Sequence, residues 1–163
     1  MKLFRAEKDR YLFVMPRREK RLLFEMLQLY PLVPPAHHQL SNTGEGKLQD
    51  ENQRLLDDSL AEHRREKRRQ VLNMLNEPTR FRESSEGMRL TLTPGEIEWL
   101  LQVLNDVRVG AWLALGKPEG SDDLPAVNET TAPYVLAMES AGYFQTAILD
   151  ALGVNNPSPN QIE

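Results

Sequence analysis

A chain of 163 residues, with 20 Lys and Arg against 24 Asp and Glu and 40% apolar residues, is expected to fold as one helical domain over 1–153 with a disordered tail at 154–163. The absence of cysteine excludes disulfides, thiolate catalysis, cysteine zinc sites and thiol redox switching in this chain. No apolar run reaches the length of a membrane span, and Met1–Val14 lacks a secretory signal's uninterrupted apolar core, so a soluble cytoplasmic protein is expected. The net charge of −4 is unevenly distributed: residues 1–89 carry 18 basic and 14 acidic side chains, residues 90–163 only 2 and 10.

In chain order, Leu3–Arg5 and Tyr11–Met15 predict a β-hairpin turning through the charged segment between them. Pro16 opens a helix to about Tyr30, with Leu22, Leu23, Met26, Leu27 and Tyr30 on one face, and Pro31, Pro34 and Pro35 end it. Pro31–Gly46 reads as a loop. Leu48–Leu75 is the longest helical candidate, but Ala61–Gln70 has almost no apolar residue, so it is expected to project, kink or divide the helix. Thr79–Gly87 reads as a polar loop, and Met88–Leu92 can add a short third strand to the hairpin.

Leu90–Gly116 is the organising stretch. Thr93 is a good N-cap, Pro94 suits the first helical position and Glu96 completes a capping box, while Gly116 supplies the stop. Ile97, Leu100, Leu101, Leu104, Val107, Ala111 and Leu115 form an apolar stripe, and Trp99, Val103, Val109, Trp112 and Leu113 extend it nearly all round, so a helix covered by neighbours is expected. After an acidic loop, Thr130 or Thr131 caps a last helix through Leu152, with Pro133 near its start and Gly153 as its stop. Its expected core residues are Leu136, Ile148, Leu149 and Leu152. The expected fold class is therefore mostly α (α+β): about four helices around a central buried one, with a small N-terminal sheet.

Candidate chemistry is sparse. Arg108 falls on the apolar stripe one turn from Asn105, and because burial of an unpaired guanidinium is prohibitive it is expected to snorkel, to pair with a carboxylate, or to meet a ligand or partner. Asn105, Asp106, Arg108 and Gln145 are thus expected to form a core polar clamp, with Asp57, Asp58 or Glu139 as counterion, or alternatively a binding site. Two RREKR runs, containing Arg17, Arg18, Lys20 and Arg21 and then Arg64, Arg65, Lys67 and Arg68 with Arg69 following, read as solvated faces or as a patch for an anionic partner. His37, His38 and His63 do not make a convincing metal set, and Ser41–Gln49 fails as a phosphate loop because Leu48 follows Lys47. No catalytic constellation, metal site or cofactor is expected.

The segment Trp99–Leu115, with Trp99, Asn105, Asp106, Val107 and Arg108, together with Phe144–Leu152, with Phe144, Gln145, Ile148, Leu149, Ala151 and Leu152, resembles a bacterial domain family of unknown function. The resemblance implies the helical fold and an association with transcriptional and oxidative-stress regulation. Trp112 and Ala114 stand where that family often has Gly and Arg, and the cysteines on which its redox regulation depends are absent. The expected function is a non-catalytic regulatory or adaptor protein acting on another protein. The alternatives are a nucleic-acid-associated regulator using the basic helix faces and a small-molecule sensor or enzyme at the central helix.

Overall fold

Alternating burial along Arg10–Met15 and Gly87–Leu92 sets the frame of the molecule: Phe13, Met15, Met88, Leu90 and Leu92 face inward, and Leu12, Val14, Arg89 and Thr91 face out. The computed structural model describes residues 1–28 and 46–153. Strands β1 (Lys2–Glu7), β2 (Arg10–Met15), β3 (Phe81–Ser84) and β4 (Gly87–Leu92) form an antiparallel sheet in the order β1-β2-β4-β3. Helices α1 (Arg17–Gln28), α2 (Gly46–Asn76), α3 (Pro94–Ala114) and α4 (Ala132–Ala151) complete a mostly α, α+β architecture. The helices' apolar faces and the inner sheet face share one hydrophobic core.

The hairpin forms as expected, and β4 joins it by pairing with β2. Within the segment expected to be a loop, Phe81–Ser84 is instead a fourth strand paired with β4. Its one large apolar residue explains this: the Phe81 ring lies 5.9 Å from that of Phe24, and the Lys20 ammonium sits 4.5 Å from its centroid. Ser85 and Glu86 make the two-residue turn, and Gly87 begins β4 at φ +131°. A Cβ at Gly87 would stand 2.7 Å from the Met15 carbonyl oxygen, so only glycine fits both the backbone and the space.

Helix α1 buries Leu23, Met26 and Leu27, while the residues from Tyr30 onward that were expected to end it lie outside the described residues. Of the alternatives expected for the charged stretch of α2, division does not occur: one uninterrupted helix of 31 residues runs through it. Pairs one turn apart, Glu62 with Arg65 at 3.0 Å and Glu66 with Arg69 at 2.9 Å, brace that stretch, and Arg64 is buried at 7% exposure. Val71, Met74 and Leu75 anchor its C-terminal end in the core, and Pro78 follows.

The N-terminus of α3 is the capping box read from the sequence, with the Thr93 hydroxyl accepting from the Glu96 N–H and the Glu96 carboxylate from the Thr93 N–H. Its C-terminus is a Schellman motif: the Gly116 N–H donates to the Leu113 carbonyl and the Lys117 N–H to that of Trp112. The helix is covered on one side only, since Trp99 is 46% exposed and Asn105, Arg108 and Ala114 are exposed too. Helix α4 packs against it most extensively and buries the small residues Ala137 and Ala141 in the core. Thr131 is its N-cap residue, as expected, but without a side-chain cap bond: the Asn128 side chain accepts from the Thr130 and Thr131 N–H groups, and the Thr131 hydroxyl donates to the Ala126 carbonyl. Leu136, an expected core residue, is 54% exposed, while Ile148 is fully buried.

Candidate functional site

Two long helices packed along one seam leave a furrow on their outer side. Here it is a cleft of about 750 Å³ lined by Asn105, Arg108, Val109 and Trp112 of α3 and Met138, Glu139, Gly142, Tyr143 and Thr146 of α4. The α3 residues fall there by spacing: the core stripe is Ile97, Leu100, Leu104, Val107 and Ala111, and Arg108 follows Val107 by about 100° around the helix. That rotation places Arg108 at the rim of the buried arc, from which its long side chain reaches solvent. Asn105 and Arg108 are therefore exposed rather than buried, and no core clamp forms around them.

Arg108 has neither an ion pair nor a hydrogen bond among the described residues, although Glu139 lines the same cleft. Asp106, half-buried, and Gln145 are not among the cleft's lining residues. Gln145 was expected to bond Asn105 or Arg108; its Oε1 is buried with no hydrogen-bond partner among the described residues. Asn105 and Arg108 thus share the cleft, and the other two members of the expected clamp do not line it.

Aromatic groups frame the cleft. The Trp112 indole N–H donates to the Pro118 carbonyl at 3.0 Å, which fixes the ring beside the helix stop. Tyr143, 44% exposed, stacks edge-on against buried Phe144 with centroids 5.3 Å apart, and its hydroxyl accepts from the Met1 α-amino group, which also pairs with Glu19. Burial first, and the Glu19 charge second, raise the Tyr143 hydroxyl above its usual pKa. Tyr143 and Trp112 were not sequence candidates for the site; the helix periodicity of Val109, Trp112 and Arg108 was the available signal.

The two basic runs are largely partnered by the chain itself. Arg17 pairs with Glu83, Arg21 with Glu25 at 2.7 Å, Arg65 with Glu62 and Arg69 with Glu66, while Arg68 donates to the Gln28 carbonyl at 3.3 Å. The Glu25 hydrogen bond raises the Arg21 pKa, and the hydrogen bond from Arg69 lowers that of Glu66. Lys20 rests on the Phe24 and Phe81 rings. Arg18 is exposed, and Lys67 lines a smaller cleft with His63 and Trp99. Among the described residues no group of three or more His, Asp or Glu is placed to hold a metal ion; His37 and His38 lie outside them.

The polar hub of the fold is a residue that the sequence did not single out. Arg80, 11% exposed, donates to the Met74 and Thr91 carbonyls at 3.1 and 2.8 Å, to both Glu96 oxygens at 2.9 and 2.7 Å, and to Glu77 at 2.5 Å. Burial works against the charge on both partners, but their mutual hydrogen bonds outweigh it, so Arg80 is raised and Glu96 is held below the usual carboxylate range. One guanidinium thereby ties the end of α2 to β4 and to the cap of α3. No described helix is long and apolar enough to cross a membrane.

No curated protein and no solved structure matches the chain. A family model does, over residues 25–152, which include α2, α3, the cleft and all of α4. The chain belongs to the family described as a domain of unknown function, DUF2017.

Proposed function

We propose that this protein is a non-catalytic regulatory adaptor and that the cleft between α3 and α4 is its docking surface for another protein. The observation that carries the reading is Arg108: an exposed guanidinium with no partner among the described residues, in a cleft shared with Trp112 and Tyr143. Arginine, tryptophan and tyrosine are the residues most often responsible for binding energy at protein interfaces. A furrow between helices accepts an amphipathic segment, and Met138, Val109 and Trp112 would meet its apolar face while Arg108 takes a carboxylate. Regulation of transcription and of the oxidative-stress response fits such an adaptor, with no thiol switch in this cysteine-free chain. The self-pairing of the basic helix faces gives less support to a nucleic-acid role for them.

The test is quantitative capture from a native lysate by wild type, by Arg108→Glu and by the double variant Arg65→Gln, Arg69→Gln, with mass-spectrometric identification of what is bound. The expected result is one protein retained by wild type and by the double variant and reduced at least about tenfold by Arg108→Glu, a loss near 1.4 kcal/mol. Equal retention by all three proteins, or loss with the double variant alone, overturns the assignment.

A further inference from the structure

On its outer face the sheet carries a second concave surface, a cleft of about 530 Å³ that shares no lining residue with the α3/α4 groove. Arg10 of β2, Arg82 of β3 and Arg89 of β4 line it, over a floor that includes Leu12 and Thr91, with the Arg80 hub at its side. All four cationic side chains there are arginines. Arg80 is consumed by Glu77 and Glu96, the two carboxylates of the cleft. Arg10 and Arg82 have no ion pair among the described residues. Arg89 reaches Glu86 only at 4.0 Å, lies 5.0 Å over the Phe4 ring, and buries an Nε that has no hydrogen-bond partner among the described residues.

The register makes this arrangement of arginines costly. Arg82 and Arg89 are directly opposed across β3 and β4 on the same outward face, and like charges so placed destabilise a sheet. An anion between them turns that repulsion into attraction. Arginine forks match the oxygens of a phosphate group in pairs, which favours phosphate over a more diffuse acidic surface. The volume is that of a small-molecule site.

We infer that the outer sheet face binds a phosphate-bearing small molecule, with Arg82 and Arg89 clasping the phosphate and Arg10 meeting a second anionic group. Such a ligand would bridge β2, β3 and β4 and stiffen the sheet against which the helices pack.

The test is calorimetric titration of the full chain with inorganic phosphate and with pyrophosphate at low salt, together with thermal unfolding of wild type, Arg82→Gln and the control Arg17→Gln. The expected result is saturable binding of one pyrophosphate per chain, tighter than that of phosphate, weakened about tenfold or more by Arg82→Gln and unchanged by Arg17→Gln. Without ligand, Arg82→Gln should unfold at the same temperature as wild type or higher, because it removes the cross-strand repulsion. A merely structural Arg82 would give the opposite shift. Absence of saturable pyrophosphate binding at millimolar concentration, binding indifferent to Arg82→Gln, or binding of duplex DNA with no binding of pyrophosphate each overturns the proposal.

Discussion

A single guanidinium, that of Arg80, closes the polar bookkeeping where α2, β4 and α3 meet, and it was invisible in the sequence for a physical reason. Nothing local marks it: Arg80 sits in a polar segment between Pro78 and Phe81, and its importance comes from Glu96, 16 residues away, which reads as a capping-box residue and no more. Replacing Arg80 with Met leaves the half-buried Glu96 without its main partner and removes the guanidinium donor from the Met74 and Thr91 carbonyls. The expected cost is about 2 kcal/mol or somewhat more in denaturant unfolding. The pH dependence follows from Glu96. Its folded pKa lies below its unfolded value, so the stability it contributes is complete above the usual glutamate pKa of about 4.3 and is lost as pH falls through the folded pKa. Wild type should therefore lose more stability on acidification than Glu96→Gln, measured by denaturant midpoints from neutral to acid pH. Parallel losses in the two proteins would show that the Arg80–Glu96 pair contributes nothing.

Among the elements, those whose pattern is local were legible. Thr93, Pro94, Glu96 and Gly116 define α3 at both ends, and the observed caps use those residues. Alternation gave the first hairpin and β4. The misreadings occurred where tertiary context overrode a local pattern. Phe81 alone was too little to announce β3, which forms because Phe24 and Lys20 offer that ring a place. The charged run in α2 left projection, a kink and a division open because its support is internal, from i to i+3 ion pairs rather than an apolar stripe. Of the outcomes open to Arg108, snorkelling rather than a core clamp is observed, because one step of 100° decides between core and rim. The β3–β4 hairpin supplies the element-scale prediction. Gly87→Ala imposes a positive φ on a residue with a Cβ and drives that Cβ onto the Met15 carbonyl, at an expected cost of about 2 to 3 kcal/mol in equilibrium unfolding. A cost within a few tenths of a kcal/mol would mean that the hairpin backbone relaxes freely.

At the scale of the whole molecule, two of the concave surfaces formed by the described residues differ in chemistry. The groove between α3 and α4 mixes aromatic, apolar and singly charged groups, as suits a protein partner, while the outer sheet face concentrates arginine. The basic faces of α1 and α2, the most conspicuous feature of the sequence, are largely occupied with neighbouring glutamates. Composition alone does not separate Arg17, which pairs with Glu83, from Arg82, which has no ion pair among the described residues; pairing across elements does. The measurement that tests the docking assignment most directly is site-specific photo-crosslinking in the native cell, with a photoreactive residue placed at Thr146 in the groove or at Arg65 on α2. Crosslinking from position 146 to one discrete protein, with little from position 65, is the result predicted. Crosslinking confined to position 65, or none from position 146, would contradict the α3/α4 groove as the docking surface.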